Sequence, residues 1–420
     1  MQKENPPMVT KRETAILRDL ASRYYEIATD ERQQEAISRM RDTNDLKIVR
    51  PPVLIDEIPW HELDYQEELR LRTEDPEART METFFRKALY RRAHFACDAL
   101  MEPFYPVRKC FTDTGTGLEK KERLLATDER NNIVSHEYED VIPDLETLEA
   151  KFHLPVVTAF PERDEESLAR VREILGDALP AQLQGVGIYY APWDVISSLR
   201  GVENIYIDMV DDPEFLHEII KRLTAAGDAQ YEQYEKLGLL DANIPALHCT
   251  PAYITGSPRT PGPMPHQRKD LWFRSMAQTF TSVSPEMHWE FDLQYSVPLM
   301  EKFAYTYYGC CEALDRKIPL LKEKIRNLRK IGVSPWADVD VCAEEIGGDY
   351  VFARKPNPAN VALVSDPEVI TVEIEKTVQA CQRYGCPVEF VLKDISTVGN
   401  RPENLDIWAR TVSDVLDKYY

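Results

Sequence analysis

Apolar residues recur at helical spacing over residues 11–42, where Leu17, Leu20, Ala21, Tyr24, Tyr25 and Ile27 form one broad face with charges opposite. Arg50-Pro51-Pro52 stops that pattern, and Val53-Leu54-Ile55 follows as a short apolar run typical of a buried strand. Helical spacing returns from about 78 to 100 and over 165–175, the latter with Leu168, Val171, Ile174 and Leu175 on one face. Strand patterns cover Phe104 to Phe111 and Pro180 to Ile188. The clearest helix spans 211–225: Asp212 caps it, Pro213 opens it, and Phe215, Leu216, Ile219, Ile220 and Leu223 share a stripe. Gly238 to His248 predicts a fourth strand, and the Pro/Gly-rich stretch 251–268 a long loop over one face. Ser284 and Pro285 start another helix. Residues 303–312, Phe-Ala-Tyr-Thr-Tyr-Tyr-Gly-Cys-Cys-Glu, predict a buried strand that runs into two adjacent cysteines. Ile331 to Ser334, Tyr350 to Arg354 and Val388 to Leu392 add three strands, and a last helix starts at Pro402.

Eight strands separated by helical segments predict an α/β protein, a (β/α)8 TIM barrel over 48–420 with a helical extension over 1–47. In such a barrel, chemistry sits at the C-terminal ends of the strands. Those ends carry Asp56, Glu57, Trp193, His248, Cys249, Cys310, Cys311, Glu312, Asp338, Lys355, Lys393 and Asp394, a polar set where barrel layers are apolar. Composition narrows the partners. With 43% apolar residues, the 420-residue chain has ample material for a core. A net charge of −21 argues against nucleic acid, because binding phosphates takes Lys and Arg. Eight cysteines without regular spacing fit a reducing cytoplasm. No apolar run approaches the roughly 18 residues of a membrane span. Met1 to Thr10 lacks a signal-peptide apolar region. Asp113 to Gly117 lacks the Gly-Lys-Ser/Thr of a phosphate loop and reads as a surface turn.

The chemistry centres on Cys310 and Cys311. Two thiolates at a strand end can hold a metal or do sulfur chemistry; alternatively they pack as small apolar groups. Adjacent strand residues point to opposite faces, so both ligate one ion only if the strand has already broken into loop. His248, Cys249, Glu312 and Asp394 are the further donors at strand ends. Taken alone, His248 is also consistent with a hydrogen-bonded loop histidine. Lys393 and Asp394 are either a proton-transfer pair or a structural ion pair. Asp56 and Glu57 bind a hydroxylated substrate, act as base, or cap the following helix. Trp60, Trp193, Trp336, Tyr189, Tyr190 and Tyr308 suggest an aromatic-walled pocket or rim packing, and Lys355 is a basic group for a substrate carboxylate. Cys342, Cys381 and Cys386 read as structural.

Several stretches carry a resemblance. Leu199-Arg200-Gly201-Val202-Glu203 precedes Asp211-Asp212-Pro213-Glu214-Phe215-Leu216-His217; Ser284-Pro285-Glu286 precedes Glu290-Phe291; Lys355-Pro356-Asn357-Pro358 and Arg401-Pro402-Glu403-Asn404-Leu405 follow. In this order they resemble the uroporphyrinogen decarboxylase superfamily from about residue 180 onward, and most of all its corrinoid-dependent methyltransferase branch. The resemblance implies a TIM barrel and zinc-dependent methyl exchange between a small thiol or methoxylated substrate and a corrinoid protein. Zinc would sit on Cys310, Cys311 and His248. Lys393, Asp394 and Glu57 would be catalytic, with Asp56, Trp60, Trp193, Tyr308, Trp336 and Lys355 binding substrate. The branch's His-x-Cys on the fifth strand is Gly309-Cys310-Cys311 here, and its third cysteine is replaced by Lys393-Asp394. Decarboxylases of the superfamily carry arginines near the first strand, where this chain has Asp56 and Glu57, which repel a polycarboxylate. A cofactor-independent decarboxylase and a non-catalytic ligand-binding barrel are the alternatives, and a homodimer is compatible with all three.

Overall fold

The computed structural model describes residues 9–125, 134–256, 265–363 and 365–420. The N-terminal pattern folds as two helices rather than one. Helix α1 (Lys11–Ala28) ends at Thr29, and Asp30 caps α2 (Glu31–Asn44) through the Gln33 amide. The local cap overrides the continuous apolar face. Leu17, Leu20, Ala21 and Tyr24 pack with Met81 and Phe85 of α3 (Pro76–His94) and with Leu168, Val171 and Ile174 of α4 (Pro161–Leu175). Glu13 fastens this layer. One of its oxygens accepts from Thr10, backbone and hydroxyl, and the other from the amides of Glu74 and Asp75. Those amides of Asp75, Glu74 and Thr10 hold its carboxyl down to about 2. A lowered carboxylate stabilises the fold above its ordinary value near 4.5 and loses that contribution as pH falls toward 2. Glu13→Gln is therefore expected to cost about 1–2 kcal/mol at pH 7. Melts at pH 7, 4 and 2.5 check it, since the gap to wild type should shrink on acidification.

Seven strands form the main sheet: β1 (Val53–Ile55), β2 (Ile188–Tyr190), β3 (Trp272–Ser275), β4 (Tyr305–Tyr308), β5 (Leu328–Val333), β6 (Val351–Arg354) and β7 (Val388–Leu392). They run parallel in the order β1-β7-β6-β5-β4-β3-β2, with registers such as Arg274↔Tyr307 and Ile331↔Phe352. Among the described residues β1 and β2 remain the two edges, so the sheet curls as an open barrel and not the eight-stranded closed one the sequence suggests.

Two misread segments account for the difference. Tyr105–Arg108 pairs with Ala181–Gln184 in a ladder of its own, because the chain breaks at Gly185 and Gly187 before β2 begins. A Cβ at Gly185 would run into the Leu239 carbonyl, so only glycine lets the two backbones approach there. Gly238–His248 supplies a single parallel bridge from Leu240 to Val186 and the two-residue strand Ala246–Leu247, antiparallel to Thr250–Pro251, where Pro245 and Pro251 donate no ladder hydrogen bond. The strand that takes its place is β3, hidden in the sequence by Arg274 and Ser275.

Beyond α5 (Pro213–Lys236), helices α6 (Ile318–Lys324), α7 (Val339–Ile346), α8 (Pro367–Tyr384) and α9 (Glu403–Tyr419) cover one face of the sheet. There Phe273, Ile331, Val333, Phe352, Phe390 and Leu392 pack with Leu321, Ile346, Ile374, Val378, Trp408 and Val412. Cys342, Cys381 and Cys386 belong to this core. Alternation along the strands sends Arg274, Tyr307, Lys330 and Glu389 to the other face. Lys330 Nζ lies 2.9 Å from both Glu389 oxygens and 3.0 Å from the Pro251 carbonyl, all buried. Asp113–Gly117 is a turn in which Asp113 accepts from the Gly115 amide. Of the loop expected over 251–268, residues 257–264 lie outside the described residues. No helix among the described residues is long and apolar enough to cross a membrane.

Candidate active site

Strand β4 ends at Tyr308, and Gly309 turns the chain at φ +94°, a conformation that strains any side chain. A Cβ there would also strike Leu314 and crowd the Gly332 backbone. The strand has thus broken before the cysteines, and Cys310 and Cys311 bring their sulfurs to 3.7 Å of each other. Lys393, one residue beyond β7, reaches across with Nζ 3.5 Å from Cys310 Sγ, 2.8 Å from Asp394 Oδ2 and 3.1 Å from Glu57 Oε2. Cys311 Sγ donates to Asp394 Oδ2 at 3.2 Å, and His248 Nε2 lies 3.3 Å from Glu57 Oε1. Glu57, His248 and Asp394 all have positive φ, +47°, +54° and +58°. Three side chains of one cluster sit on left-handed backbone, as strained functional corners do.

Charge is arranged unevenly within this cluster. The hydrogen bond from Cys311, with His248, Arg274 and Lys393 nearby, holds the Cys310 thiol well below the ordinary thiol range despite its burial. Donating that bond pushes the Cys311 thiol up. Burial disfavours the charged Lys393, but Cys310, Cys311 and Asp394 outweigh it and keep the ammonium protonated. Glu57 and Asp394 share a hydrogen bond and split. Burial and its bond to Asp394 raise Glu57, whereas partial desolvation of Asp394 is outweighed by its bonds to Glu57 and Lys393, which hold it down to about 2. Burial and the Cys310 charge lift Glu312 to about 7, and its carboxylate accepts from the Cys310 and Ala277 amides. Glu57, His248 and Cys249 also bring one oxygen, one nitrogen and one sulfur within 4.8 Å of one another, so two donor sets share His248. A cavity of about 220 Å³, bounded by Ile188, Tyr189, Leu247, His248 and Trp272, touches the cluster through His248.

The structure gathers Glu57, His248, Cys310, Cys311, Lys393 and Asp394, and places the other expected residues elsewhere. Asp56 pairs with Arg91 at 2.7 Å and accepts from the Glu57 amide, and the short helix that follows at Trp60–Glu62 takes no side-chain cap. Trp60 lies edge-on to Tyr90, with Lys87 and Arg91 over its ring. Trp193 is fully buried with Ile196, Leu199 and Phe280, because it opens a helix that packs inward. Tyr308 turns to the helix face by strand alternation, its hydroxyl bonded to His288 and Asp292. Trp336 is 70% exposed on the surface. These three are not pocket walls. Lys355 is buried beside the Tyr307 ring, its ammonium 5.6 Å from the centroid. Arg274 escaped the sequence reading together with its strand. Tyr307 was within reach, since period-two alternation through Tyr305 and Tyr307 puts it opposite Tyr308.

No family model matches the sequence, and no curated protein matches it. Among solved structures, a methyltransferase from Methanosarcina mazei is similar at 13% identity and a TM-score of 0.49, over 92% of this chain and 99% of that one. A B12-independent methionine synthase from Shewanella sp. W3-18-1 is similar at 10% identity and a TM-score of 0.38, over 88% and 98%.

Proposed function

We propose that this chain is a methyltransferase that passes a methyl group between a small thiol or methoxylated substrate and a corrinoid carried by a partner protein. One observation carries the reading: Cys310 sits at a strand end beside the Cys311 thiol, with Lys393 Nζ 3.5 Å from its sulfur and His248 and Arg274 nearby, surroundings that lower its thiol. The resemblance of the sequence to the corrinoid-dependent methyltransferase branch supports it. Thiolate and imidazole together are a donor set suited to zinc. His248, Cys310 and Cys311 would hold the ion, which supplies Lewis acidity to a substrate sulfur or oxygen when bound.

The chain's own groups divide the remaining work. Lys393 stays charged and offsets the negative sulfur, so it acts as an electrostatic partner and not a proton carrier. Glu57, raised by burial, takes the proton of an incoming thiol; Asp394 is its hydrogen-bonded counterpart. A methylated corrinoid brought by the partner would supply the methyl group, while Glu57 takes the thiol proton and Lys393 offsets the negative sulfur. Full-length protein incubated with zinc, methylcobalamin and a panel of small thiols is expected to demethylate the cobalamin, followed by its absorbance. Cys310→Ser and His248→Ala should each lower that rate about 100-fold or more. Unchanged turnover in Cys310→Ser, or no turnover with any thiol, overturns the proposal.

A further inference from the structure

The inner face of the sheet holds two cations, Arg274 and Lys355, that form no ion pair with a carboxylate among the described residues. Lys355 Nζ, Arg274 Nε and the Tyr307 hydroxyl are buried and have no hydrogen-bond partner among the described residues. Arg274 donates otherwise only to its neighbour, the Ser275 carbonyl, at 2.6 Å and to the Met276 sulfur at 3.8 Å. Both cations flank one ring, Arg274 Cζ at 4.0 Å and Lys355 Nζ at 5.6 Å from the Tyr307 centroid. The nearby acids are committed: Glu389 to Lys330, and Glu312 to two backbone amides. Buried polar groups without partners are costly, so two cations against one ring whose own hydroxyl is also unpartnered point to a bound anion.

We propose that Arg274, Lys355 and the Tyr307 hydroxyl bind the carboxylate of a small substrate whose other end reaches Cys310. Charge sets the ligand class. Two buried cations against one ring call for an anionic group. The planar edge of a guanidinium also suits the two oxygens of a carboxylate. Only the identity of the reacting end, a thiol or methylated heteroatom, rests on the methyltransferase reading.

Calorimetric titration of the full chain with (methylthio)acetate, its neutral amide and inorganic phosphate tests the site. The acid should bind at least tenfold more tightly than the amide or phosphate. Lys355→Met and Arg274→Met should each weaken the acid about tenfold or more while leaving the amide unchanged. Cys310→Ser, which abolishes the proposed chemistry, should bind the acid at least as tightly as wild type, so the two proposals fail separately. Equal binding of acid and amide, no binding of either, preference for phosphate, or retention of acid binding in both Met variants overturns the inference. The acid-against-amide comparison in the wild-type chain decides the matter even if a variant does not fold.

Discussion

Lys393→Met is expected to slow the alkylation of Cys310 by iodoacetamide about tenfold or more at pH 6, with the deficit closing as pH rises. The ammonium lies 3.5 Å from the sulfur, and its removal leaves the thiol with the bond from Cys311, His248 and Arg274. Each unit by which the thiol rises toward its ordinary range removes about nine-tenths of the reactive form below that range. Wild type should react at a nearly constant rate between pH 6 and 8, whereas the variant should climb with pH. Peptide mapping assigns the label, and Cys310→Ser corrects for the other cysteines. A variant that keeps the wild-type rate and flat profile would remove Lys393 from the account of the site.

Glu389→Leu should be the most damaging single change to stability, costing about 3–5 kcal/mol, because it strands a fully buried Lys330. Burial already lowers Lys330 to about 8, against the pull of Glu389. Without that pull it falls further, and a lysine lowered on folding gains stability as pH rises toward its unfolded value near 10.5. The deficit, measured by urea unfolding, should therefore be larger at pH 7 than at pH 10. The double variant Lys330→Met/Glu389→Leu should recover most of the loss, since replacing both members by apolar groups removes the stranded charge. Failure of that recovery would mean that the leucine disturbs packing rather than electrostatics.

The C-terminal half was legible because its signals are local and strong. Ile331–Ser334, Tyr350–Arg354 and Val388–Leu392 are apolar runs bounded by breakers, and each contains or overlaps a sheet strand. The thiols, Lys393, Asp394 and Glu57 were found by a rule of position, the C-terminal ends of parallel strands. What failed depended on distant partners. Trp272–Ser275 carries an arginine through its middle, tolerable only because Tyr307 stacks on the guanidinium at 4.0 Å. Gly238–His248 is apolar enough for a strand, yet Pro245 donates no ladder hydrogen bond and the strand shrinks to Ala246–Leu247. Trp193 and Tyr308 were placed at strand ends correctly but face the core, and which way a side chain turns there is set by neighbouring helices that no local window contains.

The left-handed backbone at Glu57, His248 and Asp394 bears on how this protein tolerates change. Glycine at any of these corners would relax a torsion worth about a kilocalorie per mole or more. The chain instead keeps a side chain at all three, each joined to the same cluster through Glu57, Lys393 or Cys311. Selection for heat resistance alone would therefore drift toward disarming the molecule, since its easiest routes to a firmer fold pass through the residues that face the sulfur.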